Sequence, residues 1–63
     1  MDVQLLRMKQ VNERTGLSRG GVTSLIEKGT FPMPIKITQK SIAFIKSEID
    51  EWIDQQIKLS RTA

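Results

Sequence analysis

The segment T-G-L-S-R-G-G-V-T-S-L-I-E-K-G, from Thr15 to Gly29, restricts this chain's architecture more than any other stretch. Gly16 can take the positive φ that ends one helix, and Ser18 can accept a hydrogen bond from the free N–H groups that begin the next. The sequence therefore predicts two helices joined by a turn of about three residues. With Ser18 as N-cap, Leu17 and Val22 hold the N′ and N4 positions of a hydrophobic staple. Val22, Leu25 and Ile26 form a narrow apolar stripe at i, i+3 and i+4. Arg19, Gly20, Thr23, Ser24 and Glu27 fall on the other side, a small and polar face suited to insertion into a groove. Gly29 is placed to close the helix as its C′ residue.

Two glycines in the first turn of that second helix, Gly20 and Gly21, work against it, each costing about 0.5 to 1 kcal/mol relative to alanine in a helix interior. Either the backbone N–H groups there approach a phosphate or a partner surface directly, or the helix start is loosely defined or packs tightly on the first helix. Upstream, Met8, Val11 and Thr15 at i, i+3 and i+7 predict a first helix over Met8 to Thr15, with Lys9 and Glu13 spaced to pair on its surface. Leu5 and Leu6 form an extended lead-in against one edge of the core. Downstream, Thr30-Phe31-Pro32-Met33-Pro34 cannot be regular helix, and Phe31 and Met33 are read as core contacts.

Ile35, Ile37, Ile42 and Phe44 alternate with Lys36 and Ala43 across the loop Thr38-Gln39-Lys40-Ser41. The pattern predicts a two-stranded hairpin, apolar side inward, Lys36 and Lys40 outward, packed on the helices. Ile49, Trp52, Ile53 and Ile57 then make the strongest periodic signal, at i, i+3, i+4 and i+8. They predict a third helix from about Glu48 to Lys58, capped by Ser47 with Asp50 three residues on, and with Trp52 as core anchor rather than a base-stacking residue. Residues 1–4 and 60–63 are expected to fray.

A chain of 63 residues has room for one domain and one small core, burying roughly 60% of the unfolded surface. The fold class is mainly α with a small β-hairpin. With no cysteine and no histidine, a disulfide framework and the common zinc, thiol and imidazole chemistries are excluded, and an enzyme is not expected. Nothing approaches the ~20 apolar residues of a membrane span, so a cytoplasmic chain is expected, with no cofactor and no small-molecule substrate. The net charge of +3 is unevenly spread: five basic and three acidic residues over 1–28, two basic and none acidic over 29–45, three basic and four acidic over 46–63. A basic front would turn the first two thirds toward a polyanion; the other reading is a mixed, solvated surface.

Leu5 to Val11, Thr15 to Arg19, Leu25 to Pro34 and Ser47 to Ile53 together carry a likeness that covers nearly the whole chain. In these segments it resembles the AlpA family of small phage-type regulators, whose winged helix-turn-helix domain is related to the DNA-binding heads of MerR-like regulators and to phage excisionases. The T-G-L-S-R turn, the G-x-F-P-x-P connector and the S-E-I-x-x-W-I finish are the specific elements. The sequence departs from such proteins at Gly20-Gly21, Thr23-Ser24 and Ala43-Phe44, where they tend to carry a Ser or Thr pair, an aromatic and a basic residue, and an Arg-Trp pair. The resemblance implies a nucleoid-associated DNA-binding regulator with the second helix in the major groove and the hairpin on the flanking backbone or minor groove.

Under that reading Arg19 clamps a phosphate or reads guanine, and Gly20, Thr23 and Ser24 meet the groove. Lys36, Lys40 and Ser41 meet the backbone from the wing, and Arg7, Lys9 and Lys28 add flanking charge, although solvation alone accounts for Lys9 taken singly. With about four phosphates neutralised, log K should fall with log salt at a slope near −3.6. Double-stranded DNA is the expected partner, with neighbouring copies, a recombinase or RNA polymerase beside it. An excisionase-like architectural factor would use the same scaffold. A different class, an inhibitor or adaptor, would bind a regulator or integrase through Glu48, Glu51, Asp54 and Gln55 of the acidic third helix.

Overall fold

A computed structural model describes residues 3–61. Local capping chemistry sets the first half of the chain. After the strand β1 (Leu5–Leu6), α1 spans Met8–Thr15. It starts where Gln10 Oε1 accepts the Arg7 N–H at 2.8 Å and stops where Gly16, at φ 74°, turns its N–H back to Asn12 O at 2.9 Å. Ser18 caps α2 (Arg19–Glu27), its Oγ accepting from Gly21 N at 3.1 Å. At the other end Gly29, at φ 75°, donates to Ile26 O, and Thr30 N donates to Leu25 O, both at 3.0 Å. That pair of bonds is a Schellman motif, and it turns the chain sharply into the proline-containing connector.

The hairpin joins β2 (Ile35–Thr38) to β3 (Ser41–Ile45), and β3 is also flanked on its other side by β1, giving an antiparallel sheet of order β1-β3-β2. Leu5-Leu6 is thus a third strand rather than a simple lead-in, with Leu5 opposite Ile45 and Leu6 opposite Phe44. On the other side Ile35 faces Ala43, Lys36 faces Ile42 and Thr38 faces Ser41, which leaves Ile37 as a bulged residue. The Gln39-Lys40 turn contains no left-handed residue, so it is not one of the primed turns whose twist matches a regular two-residue hairpin. The bulge takes up that mismatch, and Thr38 Oγ1 accepts from Lys40 N at 3.3 Å to hold the tip.

Leu6, Val11, Val22, Phe31, Phe44 and Ile49 form the core, with Met8, Leu17, Leu25, Ile26, Trp52 and Ile53 packed around it. Phe31 is its hinge: its ring meets Phe44 edge-on at 5.9 Å and lies 4.8 Å from the Trp52 ring, whose Nε1–H donates to Thr30 O at 2.9 Å. Trp52 is therefore a structural anchor, as its place on the apolar stripe implied.

Four expectations are corrected. Met33 is not a core contact but 62% exposed, because the flanking prolines carry the connector outward after Phe31. Ile35, Ile37 and Ile42 are 39, 47 and 40% exposed and outside the core, which the hairpin enters through Phe44, and Lys36, read as lying on the other face, stands opposite Ile42 because the bulge at Ile37 breaks the two-residue period. Ala43, read as outward-facing, is buried in the middle strand, though outside the core cluster. Finally, α3 spans Lys46–Arg61, so Ser47 lies inside its first turn and is not its cap. Lys46 N instead donates to Gln4 O at 2.9 Å, a bond from outside the helix that lets α3 follow β3 directly. The frayed ends expected at 1–4 and 60–63 fall partly on Met1, Asp2, Thr62 and Ala63, which lie outside the described residues. Gln4 is tied to α3, and Ser60 and Arg61 are helical.

Candidate nucleic-acid interface

Three separate elements deliver cations to one place. Arg7 and Lys9 come from the start of α1, Arg19 is the first residue of α2, and Lys40 sits at the hairpin tip; together they line an open cleft of about 540 Å³. All four side chains are exposed and none takes part in an ion pair among the described residues. Glu13 is the sole carboxylate on the lining, and Lys9 and Glu13, four apart on α1, do not form the pair their spacing allows. Met8 and Ile42 give the cleft a part-apolar wall, and Ser41 closes it beside the tip.

One buried side-chain polar atom on this lining has no partner. Asn12 Nδ2 is buried without a hydrogen bond, while the backbone oxygen of the same residue is engaged by Gly16. An unsatisfied buried amide costs on the order of 1–3 kcal/mol, so it is the donor in this fold with most to gain from an incoming acceptor. Sequence reasoning passed over Asn12. The signal was present: Met8, Val11, Asn12 and Thr15 occupy i, i+3, i+4 and i+7, which puts an amide at a position the stripe would fill with an apolar residue.

The remaining candidates lie around the cleft rather than in it. Gly20 follows Arg19 and is exposed; a Cβ built there would come no nearer than 4.0 Å to anything, the neighbour being Ser18 Oγ. Gly21 is more confined: a Cβ built there would lie 3.4 Å from Ser18 Oγ and 3.7 Å from Leu17 Cβ, an ordinary contact with the turn and not with α1. Thr23 is exposed one turn beyond Arg19, and its hydroxyl donates to Arg19 O at 2.9 Å. Its proton is thereby spent on its own helix, leaving a methyl group and an acceptor oxygen facing outward. Ser24 is half-buried and so less bare than its place on the polar face suggested. Lys28 is the C-cap of α2, at the far end from Arg19. Lys36 stands opposite Ile42 and therefore shares its face of the sheet, farther down the hairpin from the tip.

The helical dipole adds to the charge. The N-terminus of α2, with Arg19 and the unoccupied N–H groups of Arg19 and Gly20, carries partial positive charge on the cleft side. Arg14, Lys46 and Lys58 carry no weight here, because they are engaged with Asp50 and Asp54 of α3. Among the described residues, no group of acidic, cysteine or histidine side chains forms a metal site, and no helix is long and apolar enough to cross a membrane.

Comparison with known proteins gives the chain's family. Residues 4–58 match the family described as prophage CP4-57 regulatory protein (AlpA). A similar protein in Escherichia coli K12, the DNA-binding transcriptional activator AlpA, is 33% identical over 63 aligned positions covering 90% of each chain. An uncharacterised protein of Enterobacteria phage P4, ORF88, is 35% identical over 54 positions, covering 86% of this chain and 61% of the phage protein. No solved structure matches.

Proposed function

Because the chain belongs to the AlpA family of prophage regulatory proteins, we propose that it binds double-stranded DNA through this cleft and the adjoining face of α2, and acts as a transcriptional regulator. One observation carries the reading: four unpaired cations and an unsatisfied amide, drawn from α1, α2 and the hairpin tip, converge beside an exposed, small-residue helix face. In this arrangement α2 enters the major groove, with Arg19 at its leading end and Thr23 turned toward the base edges, where its methyl suits a thymine methyl. Arg7, Lys9, Arg19 and Lys40 straddle the adjacent backbone and neutralise phosphates, and Asn12, on the floor of the cleft, reaches a phosphate oxygen when its side chain rotates to bring the buried Nδ2 outward. Lys36 and Ser41 extend the contact along the hairpin, while Lys28 supplies charge at the other end of α2. Bare Gly20 lets the helix backbone come close.

A domain of this size makes few contacts, so a single copy binds weakly and specific occupancy draws on neighbouring copies or on a polymerase or recombinase bound alongside. The Escherichia coli relative is by name a DNA-binding transcriptional activator, and activation is the regulatory outcome we carry over. The test is titration of a labelled duplex from the DNA flanking the gene, at several salt concentrations. The native chain is expected to show a slope of log K on log salt near −3.6, and Arg19→Ala or Lys40→Ala to flatten it by about 0.9 each. Affinity and slope unchanged in both variants would overturn the proposal.

A further inference from the structure

A second concavity, of about 520 Å³, lies between the connector, the start of β2 and α3, and its lining has the opposite character. Glu48, Glu51, Trp52 and Gln55 enter it at i, i+3, i+4 and i+7, so a single face of α3 forms one wall. Met33, held between Pro32 and Pro34, and Ile35 form the other, and Ile45 lies between the walls. No lysine or arginine lines it.

The acidic residues of α3 divide into two sets. Asp50 is engaged by Arg14 at 3.7 Å and by Lys46 at 2.7 Å, and Asp54 by Lys58 at 3.0 Å. Glu48 and Glu51, both exposed, have no such partner among the described residues, and they are the two that rim the groove. The apolar part is equally uncommitted: Met33 is 62% exposed, a flexible and polarisable side chain of the kind that adapts to varied partners. The walls are fixed in advance, by two prolines on one side and by Trp52 on the other, its ring against Phe31 and its N–H on Thr30 O.

We propose that this groove is a docking site for a segment of another protein in which an aliphatic side chain is flanked by lysine or arginine. The aliphatic group lies between Met33, Ile35 and the Trp52 ring, and the flanking cations meet Glu48 and Glu51. Nucleic acid is disfavoured here, since two unpaired carboxylates repel phosphate. A second copy of the chain also offers exposed aliphatic and basic stretches, Lys36 to Ile42 and Ile57 to Arg61, but Lys40 of the first belongs to the cleft and Lys58 of the second is engaged by Asp54. The inference is independent of the DNA reading, because no residue is shared between the two concavities.

Trp52 is the only tryptophan in the chain and it lines the groove, so its fluorescence reports a ligand there. Because the ring also borders a concavity beside Arg14, Leu17 and Ile57, the Met33 and Glu51 variants assign the signal to the groove. The experiment titrates the full chain, without DNA, with a short synthetic leucine peptide flanked by lysines, and with the same peptide carrying glutamate in place of lysine. A saturable blue shift with the lysine peptide, weakening as salt is raised and absent with the glutamate peptide, is expected. Glu51→Gln and Met33→Ser should each weaken it, and the double variant Glu48→Lys/Glu51→Lys by about tenfold or more, with duplex binding through the cleft retained. Glu48 lies in the first turn of α3, so Glu51→Gln stands as the decisive variant if the double reversal fails to fold. Equal shifts with both peptides, no shift with either, or a shift that follows protein concentration alone, as for a second copy, would each overturn the proposal.

Discussion

The cleft and the groove are nearly the same size, about 540 and 520 Å³, yet they differ in how they come by their charge. The cleft collects four cations from three elements that are far apart in sequence, and each reaches it from an end: the start of α1, the start of α2, the tip of the hairpin. The groove takes its two carboxylates from the face of one helix. Outside both, charge is spent internally, with Arg14, Lys46 and Lys58 on Asp50 and Asp54. Folding thus sorts a modest +3 chain into two unpaired surfaces of opposite sign, while the ion pairs absorb what would blur them. Helix and strand ends gather charge only when the whole fold is in place, whereas a helix face carries it as soon as the helix forms.

That contrast can be broken outright. Phe44→Ala removes the ring that joins the sheet to Phe31 and the helices, a loss of about 3–5 kcal/mol, comparable with the whole stability of so small a domain. Circular dichroism should show the chain largely unfolded at room temperature, with both surfaces lost. Asn12→Leu should separate stability from binding: filling the stripe with an apolar side chain raises thermal stability by up to about 1 kcal/mol. In the same variant, duplex affinity falls and the Trp52 signal of the groove is unchanged. Glu13→Gln deletes the only carboxylate on the cleft and should tighten duplex binding about threefold at low salt, an effect that fades as salt rises. The smallest effect belongs to Gly20→Ala. With no atom nearer than 4.0 Å to the new methyl, the helix should gain at most about 0.5–1 kcal/mol in a thermal melt. A concurrent drop in duplex affinity would show that the backbone at Gly20 makes close contact with DNA; unchanged affinity would remove Gly20 from the interface.

The same contrast explains what could be read from the sequence. The helix-turn-helix was legible to within a residue, because Gly16, Ser18 and Gly29 act within a turn of where they stand. The apolar stripe of α3 gave Trp52 its structural role for the same reason. The start of α3 was misread because the group that satisfies Lys46 N is the carbonyl of Gln4, more than forty residues away in the chain and invisible to local pattern. Alternation along the hairpin gave neither face nor depth, because the bulge at Ile37 breaks the two-residue period: Lys36 stands opposite Ile42, Ala43 is buried opposite Ile35, and Ile35, Ile37 and Ile42 stay exposed. Of the cleft, the charged members were nameable and Arg19 was expected on the side of the Lys40 loop, as the cleft has it, but Lys36 and Lys28 were not separable from them by sequence and fall outside its lining. Asn12 was overlooked because a single polar residue on a stripe looks like a boundary until the unsatisfied amide is seen.

The bulge at Ile37 has a bearing on solubility. As the last strand in the order β1-β3-β2, β2 turns one row of backbone groups outward and carries two exposed isoleucines, which together invite cross-chain strand addition. Pro34 withholds an N–H just before that row begins, Lys36 sets a charge in it, and the bulged backbone at Ile37 breaks its straightness after two residues. An arriving strand would find too short a template to propagate, so a hairpin that leaves its isoleucines in water can do so without seeding aggregates.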